Sequence, residues 1–392
     1  MRILFIHTQY LQKGGEDRAV ENEIELLRSR GHEVEILLFS NEAGYGFFQQ
    51  LRSGLQAVYN RHSYKMTYEK VQAFQPDVVH VHNLFFKASP SILYALHKLE
   101  IPVVATLHNY RLLCSNALLL RSGKPCELCA NKVFPLQGVI HRCYKSSAAA
   151  SLAATSFSSV HKLLHTWQQK VDQFIVLTDF AKQIIASSSL KLPENKLVVK
   201  PNFTPDIFNS DVKREPFFLF AGRLSEEKGV QSLVQAFQQM PDVQLVIAGQ
   251  GPLQNEIIDR CAANSNIRFA GNLAQPELIN YLQKAQALVF PSLWYEGLPF
   301  TMIESFAAGT PVLASKLGAM SSLVQEGSNG LLFKPGSAIS IVECVRAFQQ
   351  TASVKQYNEK ARQSYLEKFT PAAGYEQLLT IYKTAIWQKK KP

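Results

Sequence analysis

The feature that most constrains this chain is an alternation of short apolar runs with amphipathic helical stretches, which stops once and then starts again. Residues 3–6, 34–39, 78–82, 103–107 and 174–177 are largely apolar runs, as strands covered on both faces would be. Between the first two, Val20, Ile24 and Leu27 recur at helical spacing and Gly31 marks a C-terminal stop. Residues 201–216 hold three prolines and read as a linker. The alternation resumes with strands at 217–221, 245–248, 267–270, 287–290 and 312–314. Such alternation builds open parallel sheets, and 392 residues exceed what one core usually serves. The expectation is an α/β fold of two doubly wound parallel-sheet domains, residues 1–200 and 217–370. Ligands in such sheets bind outside the carboxyl ends of the strands.

Composition narrows the function classes. A chain 46% hydrophobic and 18% charged is globular, and no apolar run approaches the roughly 18–20 residues that span a bilayer. The opening MRILFIH reads as a buried strand and not a secretory signal, because no small-residue cleavage pattern follows. A cytoplasmic protein is expected. The net charge of +10 is uneven: residues 1–200 hold 23 Lys/Arg against 15 Asp/Glu, and residues 201–392 hold 18 against 16. All ten histidines also lie in the first half. That asymmetry fits an anionic partner for the N-terminal half, or a solvated basic surface. Residues 44–70 carry Phe47, Phe48, Leu51, Leu55, Val58 and Tyr59 at roughly helical spacing, with Arg52, Arg61, Lys65 and Lys70 interleaved. The two readings are a stripe docked peripherally on an anionic membrane surface and a helix packed on its own domain. No aromatic–basic interleaving points to RNA or DNA, so no nucleic acid is expected. A dinucleotide-dependent dehydrogenase is disfavoured, since no G-x-G-x-x-G follows the first strand.

Chemistry concentrates in the second half. The strand at 217–221 ends in Gly222, and Arg223, Ser225, Lys228 and Gly229 follow in a loop opening a helix. Arg offers a planar fork and Lys a mobile point charge, a pair suited to clamping a diphosphate. The next strand ends at Ala248 and Gly249, where backbone can approach a ligand closely. Beyond the strand at 287–290 come Glu296, Gly297, Leu298, Pro299, Phe300 and, further on, Glu304. Pro299 suits the first turn of a helix, whose free N–H groups favour phosphate. Glu296 then lies on the loop and Glu304 inside the helix. Carboxylates are acceptors fit for sugar and ribose hydroxyls.

These segments resemble the signature stretches of the GT4-type retaining glycosyltransferases (group 1), which have the GT-B fold. Residues 222–229 and the Glu-x7-Glu of 296–304 carry the likeness, extended by 307–312 and 327–333. In the first half, Gly14 and Gly15 with Arg18, residues 76–82 and residues 106–108 are similar to the family's N-terminal landmarks. The resemblance implies two Rossmann-like domains facing a central cleft, with a C-terminal helix at 371–392 crossing back to the first. It implies a nucleotide-sugar donor (UDP-, GDP- or ADP-linked) and a carbohydrate or lipid-linked acceptor. Arg223 and Lys228 would neutralise the donor diphosphate, which makes a catalytic metal unnecessary. Glu304 would bind the ribose and Glu296 a hydroxyl of the transferred hexose. The backbone from Gly297 to Phe300 would line sugar and phosphate. Gly15 would let its loop approach phosphate or acceptor, and His108 would sit beneath the reacting sugar. Stabilisation of the leaving group is then the principal catalytic device. A sugar-nucleotide epimerase, a phosphorylase and a non-catalytic nucleotide-sugar binder are the competing readings.

Departures from the family pattern are Phe203 after Asn202 and the stretch 318–322. Cys114, Cys126, Cys129 and Cys143, in an insertion at about 110–165, have the ligand count of a structural zinc site. Disulfides or four unlinked thiols are the alternatives. Cys261 and Cys344 read as core residues. His80 and His82 point to one side of a strand, as a hydrogen-bonded buried pair or a metal chelate. His7 ends the first strand.

Overall fold

A computed structural model describes residues 1–9, 14–40, 56–85, 87–351 and 354–390 of the chain. It divides into two compact units, one of residues 1–121, 126–201 and 374–392 and one of residues 122–125 and 202–373.

The first unit is built on six parallel strands: β1 (Arg2–Gln9), β2 (Glu33–Ser40), β3 (Val78–Val81), β4 (Val103–Leu107), β7 (Gln173–Val176) and β8 (Leu197–Val199). Two short strands, β5 (Leu120–Arg121) and β6 (Lys124–Pro125), pair in the insertion after β4. The large sheet runs β2-β1-β3-β4-β7-β8, so strand order reverses between β1 and β3. Its core joins Ile3, Phe5, Val78 and Val104 to Val20, Ile24 and Leu27 of the helix Gly15–Ser29. The same core takes Leu378, Ile381, Tyr382 and Ala385 from the terminal helix Pro371–Lys390.

The second unit repeats the principle with β9 (Phe217–Ala221), β10 (Gln244–Ala248), β11 (Ile267–Gly271), β12 (Ala287–Phe290), β13 (Val312–Ser315) and β14 (Gly330–Phe333). All its pairings are parallel, in the order β11-β10-β9-β12-β13-β14, with the switch between β9 and β12. Phe218, Phe220, Phe237, Val289 and Phe348 fill the core.

Three expectations are modified. Residues 202–216 are no free linker but a strap on the second unit. Thr204 N–H donates to Phe369 O, Arg362 pairs with Asp206, and Arg214 donates to the carbonyls of Leu282, Ala285, Ala308 and Gly309. Their polar composition supplies donors to those carbonyls. Gly15 is the first residue of its helix rather than a loop residue, with Gly14 at the cap. His7 lies within β1, which continues to Gln9. Of the 44–70 stripe, Phe47, Phe48, Leu51, Arg52 and Leu55 lie outside the described residues. Its remainder joins the helix Arg61–Phe74, which buries Ser63, Thr67, Val71 and Phe74. Lys65 and Lys70 there are ion-paired with Glu69 and Glu35. That part is a packed helix whose two lysines face acids.

Candidate active site

In the second unit, both signature loops leave the sheet at the carboxyl ends of β9 and β12, on either side of the switch point. This is where open α/β sheets bind ligands. Two glycines let the loops close on each other. Gly229 has φ +68°, and a Cβ there would stand 2.0 Å from the Pro291 carbonyl oxygen. Gly249 has φ +135°, and its Cβ would stand 1.9 Å from the Gly222 carbonyl oxygen. Leu293 N–H donates to Glu227 O at 2.8 Å, tying the two loops by backbone.

Across that junction Lys228 Nζ donates to Glu296 Oε1 at 2.7 Å, and Ser292 Oγ donates to the same oxygen at 2.6 Å. The ammonium also lies 5.6 Å and 5.5 Å from the ring centroids of Phe290 and Trp294. Glu296 is buried while Lys228 keeps a solvent-facing side, so a fixed cation is displayed at the rim with its flexibility already spent. Arg223 is exposed at the head of the same loop. Glu304 is buried in the second turn of the helix Phe300–Ala307 and accepts from Gln275 Nε2 at 2.6 Å.

Pro299 caps that helix from outside, at φ −67° and ψ 128°, one residue before the expected start. Its extended backbone lets its carbonyl accept from Met302 N–H at 3.2 Å. The Leu298 carbonyl accepts from Asn202 Nδ2 at 3.3 Å. The loop through Gly297, Leu298 and Phe300 is thereby pinned by the strap. Ala319 and Met320 of the variant stretch 318–322 turn fully into the core.

The first unit gathers a second polar set at its own switch point. His80 and His82 of β3 are buried. His80 Nδ1 is 2.8 Å from Tyr382 Oη and its Nε2 is 2.8 Å from Thr106 Oγ1. His82 Nδ1 is 2.9 Å from His108 Nε2, and its Nε2 is 3.4 Å from Glu23 Oε2. Glu23 Oε1 is held by Lys200, whose side chain is almost wholly buried. His7 Nε2 is 2.9 Å from Asp17 Oδ1. Burial alone would push the Glu23 carboxyl up, but Lys200 with the His82 and His80 rings outweighs it and holds the acid well below its usual range. Burial, then the neighbouring His82, hold His80 and His108 well below the ordinary imidazole value. These two rings are neutral at neutral pH.

The Glu23 carboxylate only accepts, so it favours the His82 tautomer protonated at Nε2. With the proton on Nε2, His82 Nδ1 accepts from His108 Nε2–H, and His108 Nδ1 is then an acceptor. Sequence reading found His80, His82 and His108 but missed Glu23 and Lys200. A signal for Glu23 was present: it falls among Val20, Ile24 and Leu27 on the apolar side of the helix. Nothing local marks Lys200, Ser292 or Gln275.

Among the described residues, only Glu23, His80 and His82 bring three His, Cys, Asp or Glu ligand atoms within 4.8 Å of one another. That set suits an internal hydrogen-bond network better than a metal, since Lys200 already neutralises Glu23 and both His80 nitrogens have partners. The four insertion cysteines are not drawn into such a group, and none forms a disulfide. Cys114 Sγ donates to Asn116 Oδ1 at 2.9 Å, and burial pushes the Cys129 thiol up to about 11.

Residues 203–364 match the family Glycosyl transferases group 1, and residues 13–205 match Glycosyltransferase Family 4. The glycogen synthase of Mycobacterium tuberculosis is 30% identical over 182 residues, 44% of this chain and 44% of that protein. The chain thus aligns with less than half of that relative's length. The phosphatidyl-myo-inositol mannosyltransferase of Mycobacterium leprae is 23% identical over 63% of this chain and 68% of its own. The crystal structure of Anabaena Alr3699/HepE in complex with UDP superimposes with a TM-score of 0.71 at 15% identity, over 98% of this chain and 100% of that one. A glycosyltransferase from Rickettsia africae ESF-5 gives 0.70 at 17% identity, over 98% of each chain. The fold these structures share is GT-B.

Proposed function

The chain belongs to the group 1 glycosyltransferases, and from that premise we propose that it transfers a hexose from a nucleoside-diphosphate sugar, with retained anomeric configuration, to a carbohydrate or lipid-linked acceptor in glycan biosynthesis. The observation that carries the reading is the Lys228–Glu296–Ser292 cluster on the loops after β9 and β12, with Glu304 buried in the helix that follows. Arg223 and Lys228 meet the donor diphosphate, a role that needs no divalent ion. Glu304 accepts from the ribose hydroxyls. Glu296, held by Lys228 and Ser292 through Oε1, accepts from a sugar hydroxyl through Oε2. Gly249 and the backbone from Gly297 to Phe300 line the donor, and Gly15 serves an approaching phosphate or acceptor.

In the transfer, the bond from the anomeric carbon to the diphosphate oxygen breaks as the acceptor oxygen bonds to that carbon on the same face. The acceptor proton passes to the departing phosphate oxygen. The two cations stabilise charge that grows on the leaving group, which is where electrostatic catalysis has most effect. His108 offers its Nδ1 lone pair to a sugar hydroxyl, with Glu23 and His82 acting as positioning residues that hold its tautomer.

A bound UDP in a structural relative favours a uridine donor. Melting of the protein against UDP-, GDP- and ADP-sugars tests this, since a true donor stabilises the folded state by mass action. A rise with one donor class, followed by transfer of its sugar, is expected. No shift with any of them would overturn the assignment.

A further inference from the structure

The insertion between β4 and β7 displays apolar side chains that the fold leaves uncovered. Phe134, Leu136 and Ile140 are 46%, 52% and 58% exposed, and Leu128 and Val133 are exposed in the same stretch. Leu136 and Ile140, four apart on the short helix Leu136–Ile140, share one face. A lone exposed leucine means little, but five large apolar side chains in one stretch mark a contact surface.

The backbone that carries them is anchored. A Cβ at Gly138 would meet Ser115 Oγ at 2.4 Å, and that hydroxyl is 2.8 Å from Thr155 Oγ1. Cys143 N–H donates to Gly138 O at 3.0 Å, and Arg121 Nη1 is 2.8 Å from His141 Nε2. The side chains are therefore held outward on a fixed knuckle.

The charge around it selects the partner. Residues 121–145 hold five Lys/Arg and a single acid, Glu127, and Lys132, Arg142 and Lys145 are exposed. Exposed apolar side chains and exposed cations in one stretch match an anionic bilayer, whose interface takes up the first while its phosphates meet the second. The helix Arg61–Phe74, by contrast, has its lysines neutralised by glutamates.

We propose that residues 128–145 dock this protein on an anionic lipid surface, with Phe134, Leu136 and Ile140 entering the interface and Lys132, Arg142 and Lys145 meeting the headgroup phosphates. This docking is independent of sugar transfer, because it is read without donor or acceptor.

The test is flotation of the full chain with vesicles of phosphatidylcholine alone or mixed with phosphatidylglycerol, at low and high salt. The expected result is binding to the phosphatidylglycerol vesicles that weakens with salt. Leu136→Ser/Ile140→Ser should lose binding at least tenfold with an unchanged melting temperature. Arg142→Ser/Lys145→Ser should weaken it and flatten its salt dependence. Failure of the wild type to float with phosphatidylglycerol would overturn the proposal, as would double variants that float like wild type. Self-association in ultracentrifugation that Leu136→Ser/Ile140→Ser abolishes, without vesicle binding, would assign the patch to a second copy of the chain and equally overturn it.

Discussion

Glu23→Gln removes one charge while keeping the side chain's shape, and the structure dictates two consequences. The Glu23 and Lys200 side chains are 4% and 1% exposed, so the variant takes from a buried ammonium the carboxylate that pairs with it in the first unit's core. Removing one partner of such a pair costs about 3–5 kcal/mol. Lys200→Met in the same chain removes the buried ammonium as well, and the double variant should recover part of the loss. The second consequence is directional. The new carboxamide turns its oxygen to Lys200 and its NH2 to His82 Nε2, which must then accept. His82 becomes protonated at Nδ1 and donates to His108 Nε2, and His108 carries its proton on Nδ1. The lone pair assigned to the sugar hydroxyl is lost, and turnover should fall about 10- to 100-fold.

Urea unfolding at pH 7.5 reads the first effect, and 15N shifts of the histidine rings read the second. Comparing unfolding of Glu23→Gln with that of Glu23→Gln/Lys200→Met isolates the ion-pair effect, and turnover of Glu23→Gln with Lys200 in place reports the tautomer. An unfolding midpoint equal to wild type would refute the ion-pair argument. Unchanged His108 ring shifts in Glu23→Gln would refute the relay.

Lys228→Ala and Glu304→Ala should each lower turnover about 100-fold or more with the fold retained; near-normal rates in both would refute the site. Stability should also follow pH with a definite sign. His80 and His108 have folded values below their ordinary 6.5, so the stability they contribute is full above that value and falls as pH drops beneath it. Glu23, held below its ordinary 4.5, adds stability that is lost only as pH falls through its depressed value. An unfolding free energy that is flat between pH 7.5 and 5.5 would contradict the histidine part. Gly249→Ala should destabilise the second unit by at least ~1–3 kcal/mol from backbone strain alone, and thermal unfolding that matches wild type would refute the close approach to Gly222.

Much of the second-unit site was legible because its residues follow strand ends closely. Arg223 and Lys228 stand just after β9, and Glu296 and Glu304 after β12, so the strand pattern alone placed them at the carboxyl edge. The linker reading of 201–216 failed because proline and polar residues look alike in a loose connection and in an ordered strap. Only the positions of the Leu298, Ala308 and Gly309 carbonyls distinguish the two. The short edge strands β8 and β14 were not read as strands.

The sequence by itself determined the two doubly wound halves, since periods of 2 and 3.6 residues are local properties of a chain. It also determined which loops carry cations and carboxylates. Only the tertiary structure decided who partners whom. Glu23 meets Lys200 across 177 positions and His80 meets Tyr382 across 302. Such pairings are set by which strands lie side by side, and parallel neighbours are joined by long crossovers that leave no regular spacing in the sequence. The tautomer proposed for His108 rests on three such distant contacts, Lys200–Glu23, Glu23–His82 and His82–His108, so no motif could have announced it.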